Sequence, residues 1–451
     1  MRPRPALLGA ACFPFGVRLL AIVVVFGAFA GNAAAAVLNV QAVASSSSAT
    51  VTWQTTTATR GRVVYGVNGL YLYSAQESTA STMHSVTLDD LNPSTTYSFR
   101  VGSATGQATT SPRPAEVRFG TDGTRITANG SLFFPVLSYE QCVDTLARAL
   151  ALGVNTFVQV PFTGCTQPAT VTPPYLLSDQ YAAQNGAGWY LPDEPDGWGI
   201  TPEEMPQLPP AAQTGRLRVL NVSQHFFSGQ APINDHFDRN DYKRFAALTD
   251  VIGFDMYPIV KFCGRVPLTD MFRAQRELMT IYAPGKPTFQ WIETSQMTGE
   301  CPTLQITPQI VNAETWLAIA GGACAIGYFT NSWTGDLWNR WDFDAGVEQQ
   351  IAATVAGVQR LAPALCDGQY GDVVDPWNGT VMASSRTLNG ALYVIAVNGS
   401  DKQTTVPFRV DALAGRVLTV LDEGRTIKPV KKVYFRDSFA PYQVHVYIAG
   451  P

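Results

Sequence analysis

Gly188-Trp-Tyr-Leu-Pro-Asp-Glu-Pro-Asp196 opens aromatic and apolar, as a buried strand does, and stops at Pro192. Three carboxylates, Asp193, Glu194 and Asp196, follow among prolines. A buried strand that releases a rigid acidic turn at its C-terminal end is how a barrel of alternating strands and helices presents a catalytic acid. A second strand of this character, Pro287-Thr-Phe-Gln-Trp-Ile-Glu293, ends in an acid 99 residues after Glu194 (293 − 194).

The segments around these two strand ends read as repeats of one unit. An apolar strand reaches Val136, and Ser138-Tyr-Glu-Gln141 has the form of a capping box. Val143, Leu146, Ala147 and Leu150 make one helical face, Gly153 ends it, and the strand Val154-Asn-Thr-Phe-Val-Gln-Val160 follows. Strand, helix, glycine and strand at this spacing predict a parallel sheet. The rhythm returns in Leu217–Ser223, ending near His225, and in Asp250-Val-Ile-Gly-Phe-Asp-Met-Tyr257. The strand bearing Glu293 comes next, then a helix announced by Thr307-Pro308. Ala325-Ile-Gly-Tyr-Phe-Thr330 is the last strand, with Trp333 beyond it, and the final helix runs through Val347, Ile351, Val355 and Val358. Counted back from the last strand, Glu194 falls on the fourth and Glu293 on the seventh. The span between Val160 and Trp189 holds one helix, around residues 175–184, so the third strand is expected to be short, irregular or missing. An open Rossmann-type sheet is the rival architecture, but no glycine-rich phosphate loop is present.

Composition narrows the function. The chain of 451 residues carries a formal net charge of −4 and no basic run, which argues against binding nucleic acid through its phosphates. Residues 1–36 read as an export signal: arginines at 2, 4 and 18, an apolar run over 19–30 and a cleavage site at Ala34-Ala35-Ala36. No membrane association is expected once it is removed. Six cysteines remain, Cys142, Cys165, Cys263, Cys301, Cys324 and Cys366. An even number in an exported chain reads as disulfides, with fifteen pairings open. None has metal-ligand spacing and the four histidines are scattered, so neither metal nor cofactor is expected. Residues 37–119 alternate with period two, and residues 368–451 return to strands such as Ala391–Val397, so a β-module is expected at each end.

Two resemblances sharpen these readings. Leu91-Asn-Pro-Ser-Thr-Thr-Tyr-Ser-Phe-Arg-Val101 resembles the fibronectin type III signature, with Tyr97 as the tyrosine corner and Trp53 as the core tryptophan. Residues 120–367 resemble a clan A glycoside hydrolase, in which Asp193-Glu194-Pro195 stands where the family usually has Asn-Glu-Pro. The resemblance implies a (β/α)8 barrel, from which the short span before Trp189 departs at the third strand, flanked by an N-terminal fibronectin III-like β-sandwich and a C-terminal β-sandwich. It implies Glu194 as acid/base, Glu293 as nucleophile and Tyr257 as the nucleophile's hydrogen-bond partner. Trp333 would be the sugar platform, and Asp193 replaces the asparagine that usually binds the sugar's 2-hydroxyl. His225 would either contact substrate or cap strand five. Trp189, Trp291, Trp338 and Trp341 would be core or further sugar-facing surfaces. Two glutamates about 5 Å apart can keep one carboxyl protonated and one ionised near neutral pH. The expectation is an exported retaining glycosidase acting on a polysaccharide or oligosaccharide. The alternative is a carbohydrate-binding or cell-surface protein on the same barrel. Neighbouring loops of such a barrel would bring together Cys142 with Cys165, Cys263 with Cys301, and Cys324 with Cys366.

Overall fold

The computed structural model describes residues 35–89, 91–112, 117–139, 145–159, 175–178, 186–231, 237–297, 301, 303–334, 337–339, 341–373 and 379–451. The expected export signal falls almost wholly outside them, as do Cys142 and Cys165 and therefore the first expected disulfide. The chain divides into two compact units, one reaching Glu116 and one beginning at Val117.

The first unit is built of strands Val37–Ala44, Ala49–Val67, Tyr73–Leu88, Thr96–Val101 and Ala104–Thr109. The long second strand pairs antiparallel with the first, third and fourth. Trp53 and Tyr97 are buried in its core with Val51, Val63 and Phe99. The Tyr97 hydroxyl accepts a hydrogen bond from the Asn92 amide at 2.9 Å and so ties the fourth strand to the turn before it.

In the second unit eight parallel strands close into a barrel. They are Val136–Tyr139, Thr156–Gln159, Tyr175–Ser178, Gly188–Tyr190, Leu217–Ser223, Val251–Asp255, Thr288–Glu293 and Ala325–Phe329. Alternation along each strand sorts its side chains. Leu137, Val158, Leu177, Tyr190, Val219, Val251, Phe289 and Trp291 share the inner cluster. Leu220, Val222, Ile252, Phe254, Ile292 and Ile326 face the helices. Two glycines let the large inner rings fit: a Cβ at Gly253 would lie 2.3 Å from the Phe289 ring, and one at Gly327 would lie 2.3 Å from Trp291. Phe119 and Ile126, from a small antiparallel sheet ahead of the barrel, join the inner cluster beside Leu217, Val251 and Ala325, where the strands begin.

Two local expectations are overturned. Tyr175–Ser178 is the third barrel strand, not the start of a helix, and pairs with both neighbours. A four-residue stretch has too little periodicity to declare itself, and pairing along both edges decides its state. Ser138 is not a helix cap; it lies fully buried inside strand one, which pairs with strands two and eight. The helix that follows spans Leu146–Ala151 and buries Ala149, leaving Leu150 44% exposed. Closing the barrel outweighs a cap worth about 1 kcal/mol.

Helix Pro308–Gly321 begins as expected, with the Thr307 hydroxyl accepting from the Ile310 amide. Helix Ala345–Cys366 buries Val347, Ile351, Val355 and Val358. Beyond it a six-stranded antiparallel sheet and a two-stranded one pack around Val394, Phe408, Phe435 and Tyr447. Met382, Ile395, Val397 and Val446 from the larger sheet join the cluster of the barrel helices. Disulfides join Cys263 to Cys301 and Cys324 to Cys366, at Cα separations of 5.2 and 5.6 Å.

Candidate active site

Barrel strand four delivers the acidic turn to the C-terminal end of the barrel. Asp193 accepts hydrogen bonds from the Tyr139 and Tyr190 hydroxyls, at 3.2 and 2.9 Å, and from the Asn221 amide group at 3.0 Å. Asp196 is fully buried, taking the Ser223 amide at 3.0 Å, the Ser223 hydroxyl at 2.5 Å and the Tyr242 hydroxyl at 2.8 Å. These two side chains pin the turn to strands one, four and five and to the helix Asp241–Ala247. Glu194 stands between them with φ +44°, a left-handed conformation that costs a non-glycine residue on the order of 1–3 kcal/mol. The flanking anchors hold that strain in place.

Glu194 is half-buried, and its carboxyl hydrogen-bonds that of Asp255, the last residue of strand six. Burial first, and the Asp193 charge second, push Glu194 up to about 7. Asp255 is also raised, well above the usual carboxylate range, by burial and by Glu194, Asp193 and Asp196 around it. Two acids in contact cannot both ionise readily, so the pair retains a proton around neutral pH. Aromatic rings surround the carboxyls: Tyr139 meets Trp291 and Phe329, each at 5.6 Å, and Tyr257 meets Phe329 at 5.8 Å. Burial, with Asp255 and the other carboxylates near it, raises the Tyr257 hydroxyl well above its ordinary value.

Glu293 ends strand seven where the strand count puts it, and its carboxyl is held by the backbone of the loop after strand six. It is fully buried, and its two oxygens accept from the Ile259 and Val260 amides, each at 2.8 Å. Its third neighbour is Glu314, on the helix Pro308–Gly321. Ile259 and Val260 belong to the cluster outside the barrel wall. The Tyr257 hydroxyl, expected as its hydrogen-bond partner, feels the Glu293 charge, while the two Glu293 oxygens accept from the backbone amides. Asp193, expected at a sugar hydroxyl, has its carboxylate occupied by three donors from the protein. The His225 ring, in a short 3-10 turn after strand five, donates from Nδ1 to the Ala231 carbonyl at 2.8 Å and so ties its own loop. Trp333 lies on a short strand, Ser332–Thr334, paired with Leu337–Asn339; its side chain is outside the described residues. Trp341 is buried under the Arg148 guanidinium rather than offered to a ligand.

Three residues of this site were not singled out in the sequence. Asp255 sits in the stretch recognised as strand six, and an acid closing a barrel strand was the available signal. Asn221 ends no motif. Trp198, two residues past the acidic turn, is 77% exposed. Among the described residues no cluster of histidine, cysteine and carboxylate side chains is placed to hold a metal ion.

A family model described as the purple acid phosphatase N-terminal domain matches residues 37–119. Comparison with curated proteins finds no match. Among solved structures, a GH30 endoxylanase from Clostridium papyrosolvens is 11% identical, with a TM-score of 0.40 over 75% of this chain and 100% of that one. An α-amylase from Geobacillus thermoleovorans, complexed with acarbose, is 10% identical, with a TM-score of 0.35 over 70% and 98%. A β-D-glucuronidase from Dictyoglomus thermophilum is 10% identical, with a TM-score of 0.36 over 70% and 68%. These neighbours are glycoside hydrolases, but likeness at this level carries no argument about chemistry.

Proposed function

We propose that this chain is an exported glycoside hydrolase that cleaves O-glycosidic bonds of a polysaccharide or oligosaccharide with retention, using Glu194 as acid/base. One observation carries the reading: Glu194 is held in a strained left-handed turn against a second carboxyl, with its own carboxyl raised to about 7. A glycosidic oxygen needs a proton donor that is still protonated near neutral pH, and a base once the proton has gone. The rings of Tyr139, Trp291, Phe329 and Tyr257 lower the dielectric around that carboxyl. The two disulfides support export.

The two-glutamate form of the mechanism asks more of the protein. Glu293, expected as nucleophile, has both oxygens occupied by the Ile259 and Val260 amides. That enclosure favours a second reading, a sugar-binding protein that has kept the barrel without the chemistry. Incubation with a panel of plant and microbial polysaccharides separates the two. Reducing ends should appear with the native chain, and Glu194→Gln should release them at least ~10³-fold more slowly. Calorimetric binding with no release from any polysaccharide would establish the second reading instead.

A further inference from the structure

Val251, Gly253 and Asp255 alternate onto the inner side of barrel strand six, where Val251 joins the inner cluster and Gly253 lies under Phe289. Asp255 therefore ends that strand facing the barrel axis. Its Oδ1 is shut off from solvent and takes no N–H or hydroxyl donor, and its carboxyl meets that of Glu194. Glu314, on the helix Pro308–Gly321, shares this lack of donors but belongs to the helix layer beside Glu293, and the remaining buried carboxylates are neutralised by donors. Asp193 and Asp196 have three each, Asp250 has the Arg218 guanidinium, and Glu293 has two amides. The charges acting most strongly on Asp255 are all acidic: Glu194, Asp193 and Asp196. The Tyr257 hydroxyl stands beside it, and Lys261 acts on Glu194. A carboxyl kept for stability would be a poor choice here, since burying it among like charges is unfavourable.

We propose that Asp255 is the catalytic nucleophile that works with Glu194, and that Glu293 is a strut shaping the loop after strand six. This rests on the glycosidase reading above and deepens it. Adjacent carboxyls leave no gap for the water that inverting enzymes admit between carboxyls ~6.5–9.5 Å apart, which favours the retaining arrangement. In the first step the Glu194 proton passes to the glycosidic oxygen as its bond to the anomeric carbon breaks. The Asp255 carboxylate forms an ester bond to that carbon, and the leaving alcohol departs with the proton. In the second step a water gives a proton to the Glu194 carboxylate while its oxygen bonds to the anomeric carbon. The ester bond breaks, Asp255 regains its carboxylate, and one water has been added across the glycosidic bond.

The test uses the full chain and a panel of 2,4-dinitrophenyl glycosides of both anomeric series. Asp255→Gly should lose about 10³-fold or more in turnover. Sodium azide should restore part of it and give a glycosyl azide whose anomeric configuration is opposite to that of the substrate. Should the glycine variant fail to fold by circular dichroism, the near-isosteric Asp255→Asn carries the same comparison, with turnover lost and the fold kept. Asp255→Asn within tenfold of the native chain would overturn the proposal, as would an inverted glycosyl azide from Glu293→Gly. A native chain inert on every glycoside and polysaccharide would instead remove the hydrolase reading itself, and the role of Asp255 with it. The two failures are told apart by whether the native chain or the variant departs from expectation.

Discussion

Asp193 and Asp196 differ from Glu194 in having their oxygens occupied by tyrosine, serine and asparagine donors, whereas Glu194 has another acid as its neighbour. That difference makes a stability prediction. The Glu194 carboxyl is raised from 4.5 to about 7. Its contribution to stability is therefore fully present below about 4.5 and is lost as pH climbs through about 7. Glu194→Gln has no charge to bury, so it should melt about 2–4 °C above the native chain at pH 8 and level with it at pH 4. An equal difference at both pH values, or a native chain that melts higher at pH 8, would contradict the assignment. Trp198, exposed beside the same turn, offers a flat face for a sugar ring. Trp198→Ala should raise KM on a polysaccharide several-fold while leaving kcat and the melting temperature near native. A change confined to kcat would remove it from substrate binding.

The loop after strand six is the element on which the site turns. It supplies the Ile259 and Val260 amides that hold Glu293, and Cys263 ties it to Cys301 in the loop after strand seven. The crosslink closes a sequence separation of 38 residues and contributes ~4 kcal/mol by restricting the unfolded chain. The paired change Cys263→Ser with Cys301→Ser should lower the melting temperature by several degrees, and a reducing agent should then have less effect on it than on the native chain. An unchanged melting temperature would show that the loops hold each other without the bond. Strand six tolerates little elsewhere. Gly253→Ala would drive a Cβ to within 2.3 Å of the Phe289 ring. Overpacking of that kind costs about 1–3 kcal/mol, read as a lower urea midpoint at unchanged slope.

At the scale of the whole molecule, the two ends of the chain stand in different relations to the barrel. The first unit closes at Glu116 with its own core of Val51, Trp53, Val63, Tyr97 and Phe99. A chain beginning at Val117 should fold and keep its activity on small glycosides; folded but inactive protein would show that the first unit shapes the site. The C-terminal strands share a unit with the barrel. Buried Arg386 donates to the Leu365 and Ile319 carbonyls and lies 3.8 Å over the Tyr370 ring, while Ile395 and Val446 pack among the barrel helices. A chain ending at Asp367 uncovers those helices and should be insoluble or aggregate on purification. A soluble, cooperatively melting product would contradict that coupling.

Much of this protein was determined by local sequence. Apolar runs cut off by proline, glycine or an acid were enough to locate strands four to eight, because strand character and strand ending are properties of a few consecutive residues. Thr307-Pro308 marked its helix for the same reason. The pairing of Cys263 with Cys301 and of Cys324 with Cys366 followed once neighbouring loops were in order. Tertiary structure decided the rest. Tyr175–Ser178 became a strand because both of its edges found partners, and Ser138 went into a strand because the barrel closes on it. Which carboxyl meets Glu194 was decided the same way. Glu293 and Asp255 both end barrel strands, but the direction of a strand-end side chain depends on the loop folded over it. The Ile259 and Val260 amides lie 34 and 33 residues from Glu293 in sequence and bind its oxygens, while Asp255 stands beside Glu194. No window of adjacent residues contains that competition, because it is settled only when distant backbone donors and carboxylates are brought together.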